Sequence, residues 1–313
     1  MDKIRAIIVD PALTQRLTIR EVTSPTLASN QALVQVKAFS LNRGEVMRAF
    51  RQTEVTQLGW DLAGIVDRPA SDGSGPQAGA RVVGLLRSGA WAEQVAVPTS
   101  ALAVLPAEVS FQQAATMPVA GLTALLALDK AGPLLGRKVL VTGASGGVGD
   151  FAVQLARQSG AYVVGLVNQA RYTDSVLKIG AHHVVASEDA AAAAQFGPYD
   201  LIADALGGKA LSTVFTQLAQ NGICVTYSSG LTGTDVAFSS RSVPAGARLY
   251  FLLVFQELLR EPASVGLGRL ARLVAEGKLH PTVEVEASWE EIAGIAQRLI
   301  DRDYSGKAVL MID

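Results

Sequence analysis

The sequence predicts an α/β protein of two domains: a doubly wound parallel sheet together with a smaller, strand-rich barrel. Three observations predict it. From Lys138 onward, continuous apolar strands alternate with amphipathic helices, the pattern of a parallel sheet covered on both faces. The first third of the chain instead holds short β-rich runs separated by turn residues. Between a strand and a helix lies a glycine-rich turn, Gly143-Ala144-Ser145-Gly146-Gly147-Val148-Gly149. The chain has 313 residues, more than most single hydrophobic cores organise.

Taken in order, Ile4–Val9, Leu17–Val22, Ala32–Ser40, Leu62–Asp67, Arg81–Leu86 and Ala92–Val97 read as strands. Breakers such as Ser24-Pro25 and the stretch Ser71–Pro76 divide them. This spacing predicts a partly closed barrel. Near Ser110 the composition turns to Ala and Leu. Phe111–Thr116 and Val119–Ala131 read as helices divided by Pro118 and stopped by Gly132-Pro133. The strand Lys138–Thr142 follows, then a helix Val148–Ser159 with Val148, Phe151, Ala152, Leu155 and Ala156 on one face. Ala161–Val167 is a strand, Tyr172–Ile179 a helix and His183–Ala186 a short strand. Leu201–Asp204, Gly222–Tyr227 and Arg248–Leu253 are further buried strands, and Ala190–Ala194 is helix or loop filler. Pro262–Glu276 and Trp289–Asp301 read as helices, His280–Val285 as extended chain and Lys307–Ile312 as a terminal strand expected to rejoin the N-terminal domain.

Composition excludes several classes of function. Hydrophobic residues make up 49% and charged residues 18%, with a net charge of −1; this is neither a disordered chain nor one with a basic face for nucleic acid. No signal-peptide core and no stretch of about 18 apolar residues is found, so a cytoplasmic protein without a membrane span is expected. The single cysteine, Cys224, can form no disulfide within the chain. His182, His183 and His280 lack metal-ligand spacing, so no metal is expected.

The glycine-rich turn carries the chemistry. A helix N-terminus presents free N–H groups and the positive end of a dipole to a phosphate. Close approach requires that side chains be absent, which Gly143, Gly146, Gly147 and Gly149 provide. With a strand before it and an amphipathic helix after it, the turn predicts a Rossmann dinucleotide site. An acidic residue at the end of the second strand would favour NAD. Here that end reads Val167-Asn168-Gln169-Ala170-Arg171. Asn168 and Arg171 suit a 2′-phosphate, which predicts NADPH.

Several segments together resemble the medium-chain dehydrogenase/reductase superfamily, in its zinc-free quinone oxidoreductase (zeta-crystallin-like) branch. They are Ala32–Asn42, Gly59–Val66, Gly79–Leu85, Gly89–Val97, Ala114–Leu128 and Lys138–Gly149. The resemblance covers nearly the whole chain. It implies a GroES-like barrel over residues 1–120, a Rossmann NADPH-binding domain over 121–262, and a C-terminal segment, 263–313, that returns to the barrel, with the active site in the cleft between the domains. It also implies a homodimer joined through the strand Arg248–Leu253. Zinc-dependent relatives carry a Gly-His-Glu motif where this chain has Gly59-Trp60-Asp61, and Trp cannot ligate zinc.

By the same resemblance, Asn42 lies near the nicotinamide as an orienting group, with Arg43 as an electrostatic one. Thr123 approaches the cofactor. Tyr227, Ser228 and Ser229 lie at the carboxyl end of a sheet strand. Leu252 and Leu253 offer backbone groups to the nicotinamide amide, and Lys307 lies near the cofactor. Trp60 and Asp61 help to shape the pocket. The activity implied is NADPH-dependent reduction of a quinone or of an enone or enal. The alternatives are an enoyl-acyl or polyketide-type enoyl reductase and a non-catalytic NADPH-binding relative. Cys224 reads as a buried small hydrophobe, and Asp204 as the anchor of a local turn.

Overall fold

The computed structural model describes residues 2–228 and 235–312. The chain opens with strands β1 (Lys3–Val9), β2 (Leu17–Thr23) and β3 (Gln31–Ser40). Helix α1 (Arg43–Arg51) comes next, then β4 (Thr56–Gln57), β5 (Asp61–Arg68), β6 (Arg81–Leu85), β7 (Gln94–Pro98) and β8 (Leu102–Val104). Helix α1 is an addition to the expected elements. Its signal is Asn42 followed three residues on by Glu45: Glu45 Oε1 accepts from the Asn42 backbone N–H at 2.8 Å, the return half of a capping box.

Helix α2 (Phe111–Thr116) passes through a π-helical turn, Met117–Gly121, into α3 (Leu122–Asp129). The break expected at Pro118 is this turn; proline sits at its start, where a missing N–H is tolerated. The joined run Phe111–Asp129, 19 residues, is by length and composition apolar enough to cross a membrane, which corrects the expectation that no such stretch exists. Of its most apolar window, 72% is buried inside the protein, as in the core helix of a globular fold.

The middle of the chain alternates strand and helix. It runs β9 (Lys138–Thr142), α4 (Gly147–Gln158), β10 (Tyr162–Val167), α5 (Thr173–Lys178), β11 (His183–Ala186), β12 (Tyr199–Asp204), α6 (Gly208–Phe215), β13 (Leu218–Thr226), β14 (Arg248–Phe251) and α7 (Val254–Glu257). Ala190–Phe196 forms a 3₁₀ helix. Helix α8 (Ala263–Ala275), β15 (Val283–Ser288), α9 (Ile292–Asp301) and β16 (Lys307–Met311) complete the chain.

The chain divides into two compact units, Met1–Leu122 with Leu258–Asp313, and Thr123–Glu257. In the second, six strands form a parallel sheet in the order β11-β10-β9-β12-β13-β14. Counted from β9, that is the doubly wound 3-2-1-4-5-6 order, with its reversal between β9 and β12, where such sheets bind nucleotides. The protein is thus of the α/β class, with a Rossmann sheet and a GroES-like strand-rich domain. In the first unit, β15-β16-β3-β5-β6-β8 form one sheet, with β7 also paired to β3, and β2-β1-β4 form another. Phe39, Leu62, Trp91 and Trp289 are buried in the core of that unit, each worth about 1.5–3 kcal/mol of apolar burial.

Two strand registers in the first unit bring distant polar residues together. Strand β16 pairs antiparallel with β3, Val309 opposite Ser40, and the Leu41 N–H donates to Ala308 O at 3.0 Å. One more step sets Lys307 beside Asn42. Strand β5 lies on the other side of β3, with Ala38 opposite Ala63, and the same counting brings Asp61 beside Ser40. Residues directly opposite each other in an antiparallel pair share a face of the sheet.

Candidate active site

In the sheet unit, the turn after β9 is built from backbone. Gly143 has φ +63°, a left-handed conformation that favours glycine. A Cβ on Gly149 would stand 2.3 Å from Gly143 O and 2.7 Å from the Ala144 Cα, so only glycine lets α4 start against the turn. Gly146 is the N-cap of α4, and no side chain caps that helix. Ser145, Gly147 and Val148 complete the turn, half-buried. A glycine-rich turn leading into a helix start fits a pyrophosphate.

Beyond the carboxyl end of β10, Asn168 and Arg171 are exposed. Arg171 lies over the Tyr172 ring, 4.9 Å from its centroid, and donates to the Tyr172 hydroxyl at 2.9 Å. Tyr172 is a neighbour that sequence reasoning passed over. Thr123 is buried near the start of α3.

At the carboxyl ends of β9, β12 and β13, Asp204 is wholly buried. Its Oδ1 accepts from Thr142 Oγ1 at 2.9 Å and from Leu206 N at 3.2 Å. Its Oδ2 accepts from Gly207 N at 3.0 Å and from Thr226 Oγ1 at 2.9 Å. Asp204 therefore anchors a turn, as expected of it, and also ties three strand ends together. Ser228 is buried and lies 3.1 Å, Oγ to Oγ1, from Thr226. The Tyr227 backbone N–H donates to Asp204 O at 3.0 Å. Its hydroxyl is buried without a partner among the described residues, and burial, then the charge of Asp204, raises its pKa. Ser229 lies outside the described residues. Cys224 is buried, and burial raises its thiol pKa.

The backbone just beyond β14 is partly committed. The Leu252 N–H is spent on Thr226 O at 2.8 Å, and Leu253 O accepts from Gln256 N at 2.8 Å and Glu257 N at 3.1 Å. These two groups hold β14 and start α7. The Leu253 side chain is exposed.

In the first unit, the registers of β16, β3 and β5 gather Ser40, Asn42, Asp61 and Lys307. Asp61 is 0% and Lys307 3% exposed. Asp61 Oδ2 accepts from Ser40 Oγ at 2.6 Å, Asn42 Nδ2 at 2.8 Å and Lys307 Nζ at 3.1 Å. Its Oδ1 accepts from the Val119 N–H of the π turn at 3.0 Å. Lys307 Nζ also donates to Leu41 O at 3.0 Å and to Asn42 Oδ1 at 2.7 Å. An ammonium has three donors, and all three are engaged. The expectation that Lys307 binds the cofactor is thereby corrected: its charge is buried and its donors are committed to its own domain.

Glu45, not foreseen as part of the site, is wholly buried beside this pair. Its Oε1 accepts from Asn42 N and from Asn42 Nδ2 at 2.9 Å, and its Oε2 has no partner. Burial, then the charge of Asp61, pushes its pKa up to about 8, against the pull of Lys307 and the Asn42 bonds. Glu45 thus carries a proton at neutral pH. Arg43 turns to the end of α9, donating to Leu299 O at 3.4 Å. Burial, then the nearby charge of Arg302, lowers its pKa. This is the place of a cation at a helix C-terminus, and it lends no support to an electrostatic role in catalysis.

The residues present do not fit a catalytic zinc. Trp60 offers no ligand atom. The oxygens of Asp61 and Asn42 face the Lys307 ammonium, and among the described residues no three His, Cys, Asp or Glu side chains cluster as a metal site.

Residues 28–107 match the family model of the alcohol dehydrogenase GroES-like domain, and residues 147–255 match that of the zinc-binding dehydrogenase. The chain is 30% identical over 317 residues to the chloroplast envelope quinone oxidoreductase homolog of Arabidopsis thaliana, with 93% of this chain and 92% of that protein covered. It is 33% identical over 228 residues to a squalestatin tetraketide synthase of Cochliobolus lunatus; this covers 69% of the chain but 9% of that far longer protein. Among solved structures, the quinone oxidoreductase from Coxiella burnetii superposes with a TM-score of 0.84 at 25% identity over the whole of both chains. A mycobacterial protein solved in complex with NADPH shares the fold, with a TM-score of 0.87 at 22% identity over 99% of this chain and 100% of that one.

Proposed function

Since the chain belongs to the medium-chain dehydrogenase/reductase superfamily, in its quinone oxidoreductase-like branch, and is thereby an oxidoreductase, we propose that it is a zinc-independent, NADPH-dependent reductase of a quinone or an α,β-unsaturated carbonyl. The observation that carries this reading is the glycine-rich turn Gly143–Gly149 at the start of α4, whose N-cap Gly146 has no capping side chain. When bound, NADPH supplies the hydride; the protein's part is to bind and orient. The turn and the first N–H groups of α4 hold the pyrophosphate. Arg171 and Asn168 hold the 2′-phosphate, with the Tyr172 hydroxyl beside them. Thr123, Tyr227 and Ser228 line the cofactor's path at the carboxyl edge of the sheet. In the other unit, Asn42 is the group proposed to orient the reactants. The buried Lys307 charge stands in this chain where a metal site would need free oxygen ligands.

The quinone oxidoreductase relatives support the quinone as acceptor. The match to a polyketide synthase favours a second reading, reduction of an enoyl thioester. Both acceptors spread the incoming charge onto a carbonyl oxygen. A homodimer through β14 is part of the proposal: β14 is an edge strand of its sheet, and Phe251 and Leu253 are exposed there at 56% and 53%. So is a cytoplasmic location.

A panel of quinones, enones and acyl thioesters with NADPH and NADH, followed at the nicotinamide absorbance, tests the reading. Turnover of quinones or enones with preference for NADPH is expected, unchanged by a zinc chelator. Thioester turnover alone would select the second reading, and NADPH binding without turnover on any acceptor would make the chain a binding protein. Arg171→Ala is expected to weaken NADPH about tenfold or more and NADH little. Equal loss for both would sink the assignment of the 2′-phosphate site.

A further inference from the structure

At the amino ends of β10 and β11, opposite the end that carries the glycine-rich turn, aromatic and basic side chains gather. Tyr162 stacks on His182 with ring centroids 4.5 Å apart, and His183 stacks on Phe196 at 4.5 Å. His182 grips Val163 twice. Its backbone N–H donates to Val163 O at 2.8 Å, and its ring Nδ1 accepts from the Val163 N–H at 3.0 Å. Strand β11 begins one residue later, with His183 opposite Val164. The imidazole thus stands in for a strand at a β10 N–H that lies beyond the start of β11. Val163 is wholly buried, and a buried N–H left without an acceptor is costly.

A neutral imidazole has one N–H and one lone pair, yet both ring nitrogens of His182 face donors. Arg157 of α4 sets Nη1 2.6 Å from Nε2. The Val163 N–H is fixed by its strand, whereas the Arg157 side chain is exposed and can shift. The lone pair therefore belongs to Nδ1 and the proton to Nε2. Protonation adds an N–H at Nδ1. That turns the Val163 contact into donor against donor and sets a second cation beside Arg157. No carboxylate compensates: among the described residues, the titratable or charged side chains facing His182 are Arg157 from α4, Tyr162 from β10 and His183 from β11. Burial, then the charges of Arg157 and His183, lower the His182 pKa from its ordinary 6.5.

We propose that His182 is a pH-sensitive latch: as a neutral ring it fastens the end of the β10–α5–β11 crossover to the start of β10, and protonation in mild acid releases it. The crossover so fastened carries Asn168 and Arg171. The latch is a property of the chain alone and does not rest on the reductase reading. Its contribution is full above pH 6.5 and is lost as pH falls towards the lower folded value.

Hydrogen exchange of the nucleotide-free chain, read as protection factors from about pH 8 to about pH 5.5, tests it in the wild type, His182→Asn and His183→Asn. Asparagine sets an oxygen near the place of Nδ1 and does not titrate. In the wild type, protection of the Val163 and β11 amides is expected to fall by up to about tenfold per pH unit below 6.5, the limit for one proton. The β12 and β13 amides are expected to keep theirs. His182→Asn is expected to abolish the fall and His183→Asn to retain it. A level profile in the wild type would overturn the proposal. So would the same fall in His182→Asn, its loss in His183→Asn, or a fall shared equally by β12 and β13, which marks acid unfolding of the whole sheet. Nitrogen chemical shifts of the wild-type imidazole carry the test if His182→Asn does not fold. The neutral ring is expected with its proton on Nε2, and a proton on Nδ1 at about pH 8 would sink the latch.

Discussion

Asp204 and Asp61 are both wholly buried and each accepts four hydrogen bonds, yet they are built for different work. All the donors to Asp204 are neutral: two threonine hydroxyls and two backbone N–H groups. Such a cage aligns the strand ends around the reversal of the sheet, beside the phosphate turn. Among the donors to Asp61 is the ammonium of Lys307, and a second carboxyl, Glu45, shares the Asn42 amide with it. The first arrangement is scaffold. The second adds buried charge and a titratable proton next to Asn42. Neutral cages hold geometry at little electrostatic cost, whereas a charged cage constrains which way its polar neighbours point.

The two cages separate most clearly at the ion pair. Lys307→Met leaves the Asp61 carboxylate buried without its counter-charge, and a loss of about 3–5 kcal/mol in urea unfolding is expected. A loss under about 1 kcal/mol would show that the pair is no costlier to break than an exposed one. Thr226→Val, in the neutral cage, removes one donor and keeps the shape. The expected loss is smaller, about 1–3 kcal/mol by the same measurement. A loss matching that of Lys307→Met would erase the distinction between the cages.

The charged cage also makes stability depend on pH. Glu45 has its folded pKa raised from 4.5 to about 8, so the folded chain binds a proton that the unfolded chain releases. That contribution is fully present below about pH 4.5 and is lost as pH rises towards 8. Its slope is at most about 1.4 kcal/mol per pH unit. Glu45→Gln copies the protonated form and is expected to flatten stability between those limits, seen in melting temperature across a pH series. A slope unchanged by the substitution would place the proton elsewhere.

The two regions also differ in how far they are legible in the sequence. The phosphate turn is legible because its requirements are local: glycines at positions 143, 146, 147 and 149 between a strand and a helix. Helix α1 is legible in principle from the spacing of Asn42 and Glu45, a capping signature, although the same stretch suits a loop. Nothing local marks Lys307 as a buried cation. It stands 246 residues from Asp61, and a Gly-Lys pair before a terminal strand suits a surface or a cofactor equally well. The bonds of the Leu252 N–H and the Leu253 carbonyl are equally hidden, because they depend on where β14 ends and α7 begins.

The sequence by itself determined the fold class, the alternation of the parallel sheet and the backbone cradle for a nucleotide, since periodicity and glycine placement act within a few residues of chain. Tertiary structure alone decided the fate of Asn42, Asp61 and Lys307. Their meeting results from the registers of β16 on β3 and of β3 on β5, and a register is settled by packing between strands far apart in the chain. Burial then does what no motif records: it presses the donors of Lys307 and Asn42 onto the acceptors around them.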